Sequence, residues 1–166
     1  MDTIKVFGDN RLIWQGKTYP CALGKNGIRA DKKEGDLATP VGRYKMRRVL
    51  YRPDRLDKPA CHLDITALTA ADGWCDDIHH TEYNRPVSLP FTASHEQLWR
   101  DDHIYDIIVI LGHNDNPPIA GKGSAIFFHL ARENYQPTQG CVAVSLPHML
   151  EILETLPKTA EMEIFL

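Results

Sequence analysis

The segment AIFFHLARENYQPTQGCVAV brings one imidazole, His129, and one thiol, Cys141, to the ends of two apolar, β-prone runs. A thiol becomes a strong nucleophile only as thiolate, and a neighbouring imidazole can take its proton and later hand it to a leaving amine. That pairing points to acyl transfer through a thioester. Gly140, directly before the cysteine, lets the backbone approach a bound carbonyl and lets amide hydrogens converge on a developing oxyanion. Taken alone, a Gly-Cys step and a histidine on an apolar run also describe an ordinary core, because free cysteine is among the most buried residue types.

The elements that must hold such a pair are legible as short apolar or alternating runs punctuated by Gly, Pro, Asp and Asn. Ile107 to Leu111 is a continuous apolar run that predicts a central strand covered on both faces, and Ala125 to Leu130 reads similarly. Thr138-Gln139-Gly140-Cys141 leads straight into Val142 to Val144. Thr3 to Phe7 and Arg11 to Gln15 flank Gly8-Asp9-Asn10 and predict a hairpin, with Thr18 to Leu23 extending the meander and a further strand at Gly42 to Tyr51. Ser145 can cap a helix of about 146–156, since Pro147 suits its first turn and Leu146, Met149, Leu150, Leu153 and Leu156 recur at helical spacing. Ser94 to Arg100 reads as one or two helical turns opened by a capping box of Ser94 and Gln97. Lys25 to Thr39 reads as an exposed loop ending at Pro40, and Arg52 to Pro90 as a long loop region with short ordered pieces. Met162 to Leu166 closes as an alternating strand. The sum is a single mainly β domain over residues 1–166 with one or two short helices.

Bulk properties narrow the function. The net charge of -3, with acids and bases interleaved, argues against a nucleic-acid surface. The first residues lack a basic region followed by an apolar one, and no later run is long enough to cross a bilayer, so the expectation is a cytoplasmic protein without membrane insertion. Cys21, Cys61, Cys75 and Cys141 form no CxxC pair and are expected as free thiols. Cys61, His62, Cys75, His79 and His80 invite a zinc reading, but their spacings match no Cys/His framework, so no metal is expected. His113, in LGHNDNPP, reads as a solvated loop residue or else as a second active-site imidazole.

Two landmarks, Ala38-Thr39-Pro40-Val41-Gly42-Arg43-Tyr44 and the later His129 followed by Thr138-Gln139-Gly140-Cys141-Val142-Ala143, resemble the YkuD-type L,D-transpeptidase catalytic domain. The resemblance implies a β-sandwich in which Cys141 is acylated by a bacterial cell-wall stem peptide at its diaminopimelate residue, with His129 as proton carrier. It also implies that Gly140 aligns the imidazole and lends an oxyanion N–H, that Thr138 fills the hydroxyl position of the motif, and that no cofactor takes part. This chain departs from the pattern at Gln139, where many members have His, at Ala143, where many have Arg, and at Leu130, where Gly or Ser is frequent. An anionic stem needs a cation or backbone donors, and Arg132 could supply the charge. The stretch Asp72 to Asp77 with Tyr83-Asn84 resembles a shorter branch of the family. There Trp74, Asp76, Asp77 and Tyr83 are expected to build the substrate wall, the acids meeting the amine of diaminopimelate; Trp74 and Tyr83 could equally cover the core.

The expected reaction is release of terminal D-alanine from tetrapeptides, an L,D-carboxypeptidase activity on soluble muropeptides during recycling. The absent leader favours this over a periplasmic L,D-transpeptidase that makes cross-links, an alternative that a removed export signal would restore. A carbapenem adduct at Cys141 is expected of either. From another class, a non-catalytic module that grips stem peptides remains as a reading.

Overall fold

The computed structural model describes residues 2–166. The strands are β1 (Thr3–Phe7), β2 (Arg11–Trp14), β3 (Lys17–Pro20), β4 (Ile28–Arg29), β5 (Thr39–Pro40), β6 (Gly42–Tyr51), β7 (Ile65–Ala67), β8 (Asp72–Cys75), β9 (Pro86–Ser88), β10 (His95–Gln97), β11 (Ile107–Leu111), β12 (Phe127–Leu130), β13 (Val142–Val144) and β14 (Glu161–Ile164), with helix α1 (Leu146–Thr155) between the last two. A large sheet runs β13-β12-β11-β6-β14-β1-β2-β3, with β7 joining β6 at its side, and a small sheet runs β10-β8-β9. The protein is a mainly β sandwich.

Strand alternation divides the apolar residues between two cores. Ile107, Val109 and Leu111 of β11, Phe128 and Leu130 of β12, and Val142 and Val144 of β13 face one core, which β1, β2 and the Met149, Ile152 and Leu153 side of α1 complete. Ile108, Ile110, Phe127 and Cys141 face the other, which Trp74, Leu98 and Tyr105 close. Being buried on both faces explains why β11 reads as an unbroken apolar run. Helix α1 starts as its sequence predicts: Ser145 Oγ accepts the His148 N–H at 3.4 Å and Pro147 sits in the first turn.

Two expectations need correction. Ser94 to Arg100 is not helical; His95–Gln97 pairs antiparallel with β8, and Ser94 Oγ donates to Asp76 Oδ1 at 2.6 Å instead of capping a helix. Backbone pairing to β8 therefore overrides a local signal that a six- or seven-residue helix could not sustain alone. The Arg52 to Pro90 region holds the short ordered pieces its sequence suggests, β7, β8 and β9, each of three or four residues; β7 pairs with β6, and β8 pairs with β9 inside the region and with β10 beyond it. Lys25 to Thr39 is not simply an exposed loop, since Ala38 and Thr39 are fully buried and β4 pairs parallel with β5.

Phe128 is fully buried in the core that α1 closes, so Phe128→Ala should destabilise the fold by about 3–5 kcal/mol. Urea unfolding monitored by circular dichroism would measure it.

Candidate active site around Cys141

The two reactive residues are brought together by sheet register. Strand β13 runs parallel to β12 with Phe128 opposite Val142 and His129 opposite Ala143, so Cys141 falls opposite Phe127. Period-two alternation then puts Cys141 and His129 on one face, offset by two residues, with Cα atoms about 8 Å apart from strand spacing and rise. Both line a single cleft of about 590 Å³. They are otherwise well packed, Cys141 being 7% and His129 4% exposed.

Each group has a defined resting arrangement. The Cys141 thiol donates to Ala125 O at 3.2 Å and its sulfur accepts the Phe127 N–H at 3.4 Å. A carbonyl can only accept, so the 2.9 Å contact between His129 Nδ1 and Leu130 O fixes the tautomer with hydrogen on Nδ1 and leaves Nε2 as the basic nitrogen. The ring is held edge-on by Tyr105, with centroids 5.2 Å apart. Burial pushes the Cys141 thiol up to about 12, aided by the charge of Glu96, and burial pushes His129 down to about 4 despite the Leu130 carbonyl. The resting pair is thus a neutral thiol beside a neutral imidazole, and proton transfer must accompany attack on a carbonyl.

The turn before Cys141 is held by Thr138, whose hydroxyl donates to Cys141 O at 2.7 Å and accepts the Gly140 N–H at 3.1 Å. The Gly140 amide hydrogen, expected to face an oxyanion, is therefore engaged within the turn. Gly140 has φ of 137°, and a Cβ on it would lie 2.8 Å from Ala38 O. Gly24 is equally tight, with a Cβ meeting Leu37 O at 2.6 Å, and its N–H donates to Thr39 Oγ1 at 2.8 Å. The early Ala38-Thr39 landmark thus lies directly behind the turn that presents the thiol. Tyr44 completes that segment by folding over Gly42 to donate to Val41 O at 2.5 Å.

Among the residues singled out from sequence, Thr138, Gln139, Arg132 and Asp76 line the cleft with the reactive pair. Arg132 is exposed and reaches Asp102 at 3.5 Å. Three others are placed elsewhere. Trp74 is buried against Phe127, ring centroids 5.1 Å apart, and its indole N–H donates to Asn84 Oδ1, so it packs the core instead of forming a cleft wall. Asp77 turns away to accept the His79 N–H at 2.9 Å. Tyr83 is buried and acts at one remove, its hydroxyl donating to the cleft residue Glu34 at 2.7 Å.

His113 is buried, not solvated, because Gly123 offers no side chain there and Tyr44 packs across the ring. It lines a separate cavity of about 230 Å³ that the reactive pair does not share. Among the described residues no three His, Cys, Asp or Glu side chains converge to hold a metal, and all four cysteines are free thiols.

Sequence reasoning missed Glu34, Glu96, Tyr105 and Ser124, which also line the cleft. Glu34 lies far in sequence from the other three, and only the fold brings all four to one cleft.

Residues 2–164 match the family model described as YkuD, the L,D-transpeptidase catalytic domain. No curated protein is significantly similar to the chain.

Two outcomes follow from the site's geometry. Iodoacetamide alkylation of Cys141 should rise about tenfold per pH unit from pH 7 to 10 with no plateau, because a raised thiol pKa keeps the thiolate a minor species throughout. Peptide mapping of the alkylated cysteine at each pH would check it. Gly140→Ala should slow that alkylation or change its pH dependence, since the new methyl must displace the turn from Ala38; rates equal to wild type would contradict the tight fit.

Proposed function

Since the chain belongs to the YkuD L,D-transpeptidase catalytic-domain family, which modifies peptidoglycan by cysteine catalysis, we propose that it is an L,D-carboxypeptidase that releases D-alanine from stem tetrapeptides. The observation that carries this reading is the single cleft that Cys141 and His129 both line, with the His129 Nδ1 hydrogen committed to Leu130 O so that Nε2 is the nitrogen left to act as base.

The reaction runs in two halves. The sulfur of Cys141 attacks the carbonyl on the L-centre of diaminopimelate while His129 Nε2 takes the thiol proton. The tetrahedral adduct collapses, the bond to the D-alanine nitrogen breaks, and the imidazolium returns the proton to that leaving amine. The remaining acyl group is a thioester on Cys141. Water then attacks the thioester, with His129 accepting its proton, and the tripeptide leaves as a carboxylic acid with the thiol restored.

A cleft of about 590 Å³ accommodates the reacting end of a stem. Water is the acceptor on this reading, and the amine of a second stem in its place would turn the same thioester into an intermediate of cross-linking. Lys25 and Arg132 line the cleft and can meet carboxylates of the stem. On this reading the protein works on free muropeptides in the cytoplasm.

Incubation with free tetrapeptide, read by mass spectrometry, should give tripeptide and D-alanine. Cys141→Ala and His129→Ala should each lose at least about a hundredfold in rate while retaining the wild-type circular dichroism spectrum. Cross-linked dimers as the main product would assign the chain to transpeptidation, and binding without turnover would make it a peptide-binding module. A carbapenem should add one drug mass per chain, and Cys141→Ala should abolish the adduct. For the wild-type protein, kcat/KM should fall as pH drops through about 4, where His129 gains a proton and ceases to act as base.

A further inference from the structure

Seven charged side chains line the cleft: Lys25, Lys32, Glu34, Asp76, Glu96, Arg100 and Arg132. The cations are largely engaged, Lys32 with Asp36, and Arg100 and Arg132 with Asp102. The three carboxylates are in a different position. Among the described residues none of them has a salt-bridge partner, and each is held by hydroxyls instead. Tyr83 Oη and Ser124 Oγ donate to Glu34 at 2.7 and 2.6 Å, Ser94 Oγ donates to Asp76 at 2.6 Å, and Tyr105 Oη donates to Glu96. A hydroxyl donor orients a carboxylate without cancelling its charge.

Glu96 is the one coupled to the reacting groups. Strand β10 pairs it with Trp74 of β8, which fixes its backbone on the small sheet over the cleft. The Tyr105 ring that carries its hydroxyl donor packs edge-on against both His129 and Phe127. Tyr105 therefore ties the carboxylate to the imidazole through a single rigid ring. Tyr105 Oη is bonded at Oε1 of Glu96, so the second oxygen can still accept. The three acids do not converge on a metal geometry, and a carboxylate held at one oxygen matches an N–H donor better than a hard cation, which needs several oxygens.

We propose that Glu96 is a specificity-determining residue of this cleft and takes the free side-chain ammonium of the residue whose carbonyl Cys141 attacks. The inference rests on the carboxypeptidase reading for the identity of that residue as diaminopimelate, and it adds which side chain reads the amine. It also couples recognition to reaction. Without substrate the charge of Glu96 opposes formation of thiolate at Cys141, and an ammonium against Glu96 cancels that opposition. Substrates lacking the amine bind a cleft whose nucleophile is still restrained.

The test compares the diaminopimelate tetrapeptide with the same peptide acetylated on its side-chain amine, using wild type, Glu96→Gln and Glu96→Asp. Wild type should favour the free amine by about 10- to 100-fold in kcat/KM, the range of a hydrogen bond between charged groups. Glu96→Gln should lose that preference by slowing on the free amine, while the acetylated peptide, no longer facing a nucleophile restrained by that charge, is turned over at least as fast as by wild type. Glu96→Asp, which restores the charge, should prefer the free amine even if both rates fall. Equal losses on both peptides in Glu96→Gln, or no preference in wild type or Glu96→Asp, would overturn the assignment.

If wild type turns over neither peptide although Cys141 still alkylates, the carboxypeptidase reading is what has failed. Calorimetric binding of the two peptides to the Cys141→Ala protein, with and without Glu96→Gln, then decides the role of Glu96 separately. A free-amine preference that disappears with Glu96 upholds it, and its absence overturns it.

Discussion

The parallel pairing of β12 with β13 is the constraint from which the site follows. A parallel pair cannot be joined by a tight hairpin, so the chain must travel out of β12 and return before β13 begins. That excursion is the Ala131 to Gly140 segment, and it supplies Arg132, Thr138 and Gln139 to the cleft. A shift of one residue in the pairing would send Cys141 to the opposite core and separate it from His129. The buried Phe128, Leu130, Val142 and Val144 set the register, because slipping would expose all four to the wrong face. Packing on one side of the sheet thereby aligns chemistry on the other.

The second determinant is close backbone contact behind the nucleophile. Ala38 O presses against Gly140, Leu37 O presses against Gly24, and the Thr39 hydroxyl takes the Gly24 N–H. The first of these contacts joins segments about a hundred residues apart in sequence, and it explains why the Ala38-to-Tyr44 landmark accompanies the cysteine motif in one fold. None of its residues is among those that line the cleft. They form a rigid backstop that keeps the thiol at the cleft wall.

Much of this was legible from residue order. The three central strands, the opening hairpin, the capped helix and the Cys141 and His129 candidates follow from apolar periodicity, turn residues and one motif. What escaped was whatever depends on distant partners. The Ser94 hydroxyl looked like a helix cap because Ser and Gln at that spacing usually are one, yet its acceptor is Asp76, which no local rule identifies. Trp74 and Tyr83 were read as possible cleft walls because they accompany acids, while burial assigns one to the core and the other to bracing Glu34. Glu96 carried no sequence signal beyond being a carboxylate between His95 and Gln97. His113 seemed a loop residue because Gly, Asn and Pro surround it, and the missing side chain at Gly123 is what admits it to the interior.

Strand β14 lies between β6 and β1, pairing antiparallel with the first and parallel with the second. Within the strand order of the large sheet it stands between the opening meander and the half that bears the nucleophile, and at the far edge Ala22 and Ala143 exchange backbone hydrogen bonds that join the same two halves. The β1 to β3 meander closes through local contacts, whereas both junctions between the halves pair residues far apart in sequence. The sheet that carries the thiol is therefore completed only after a large loop-closure entropy has been met, and its assembly is slow beside that of the meander.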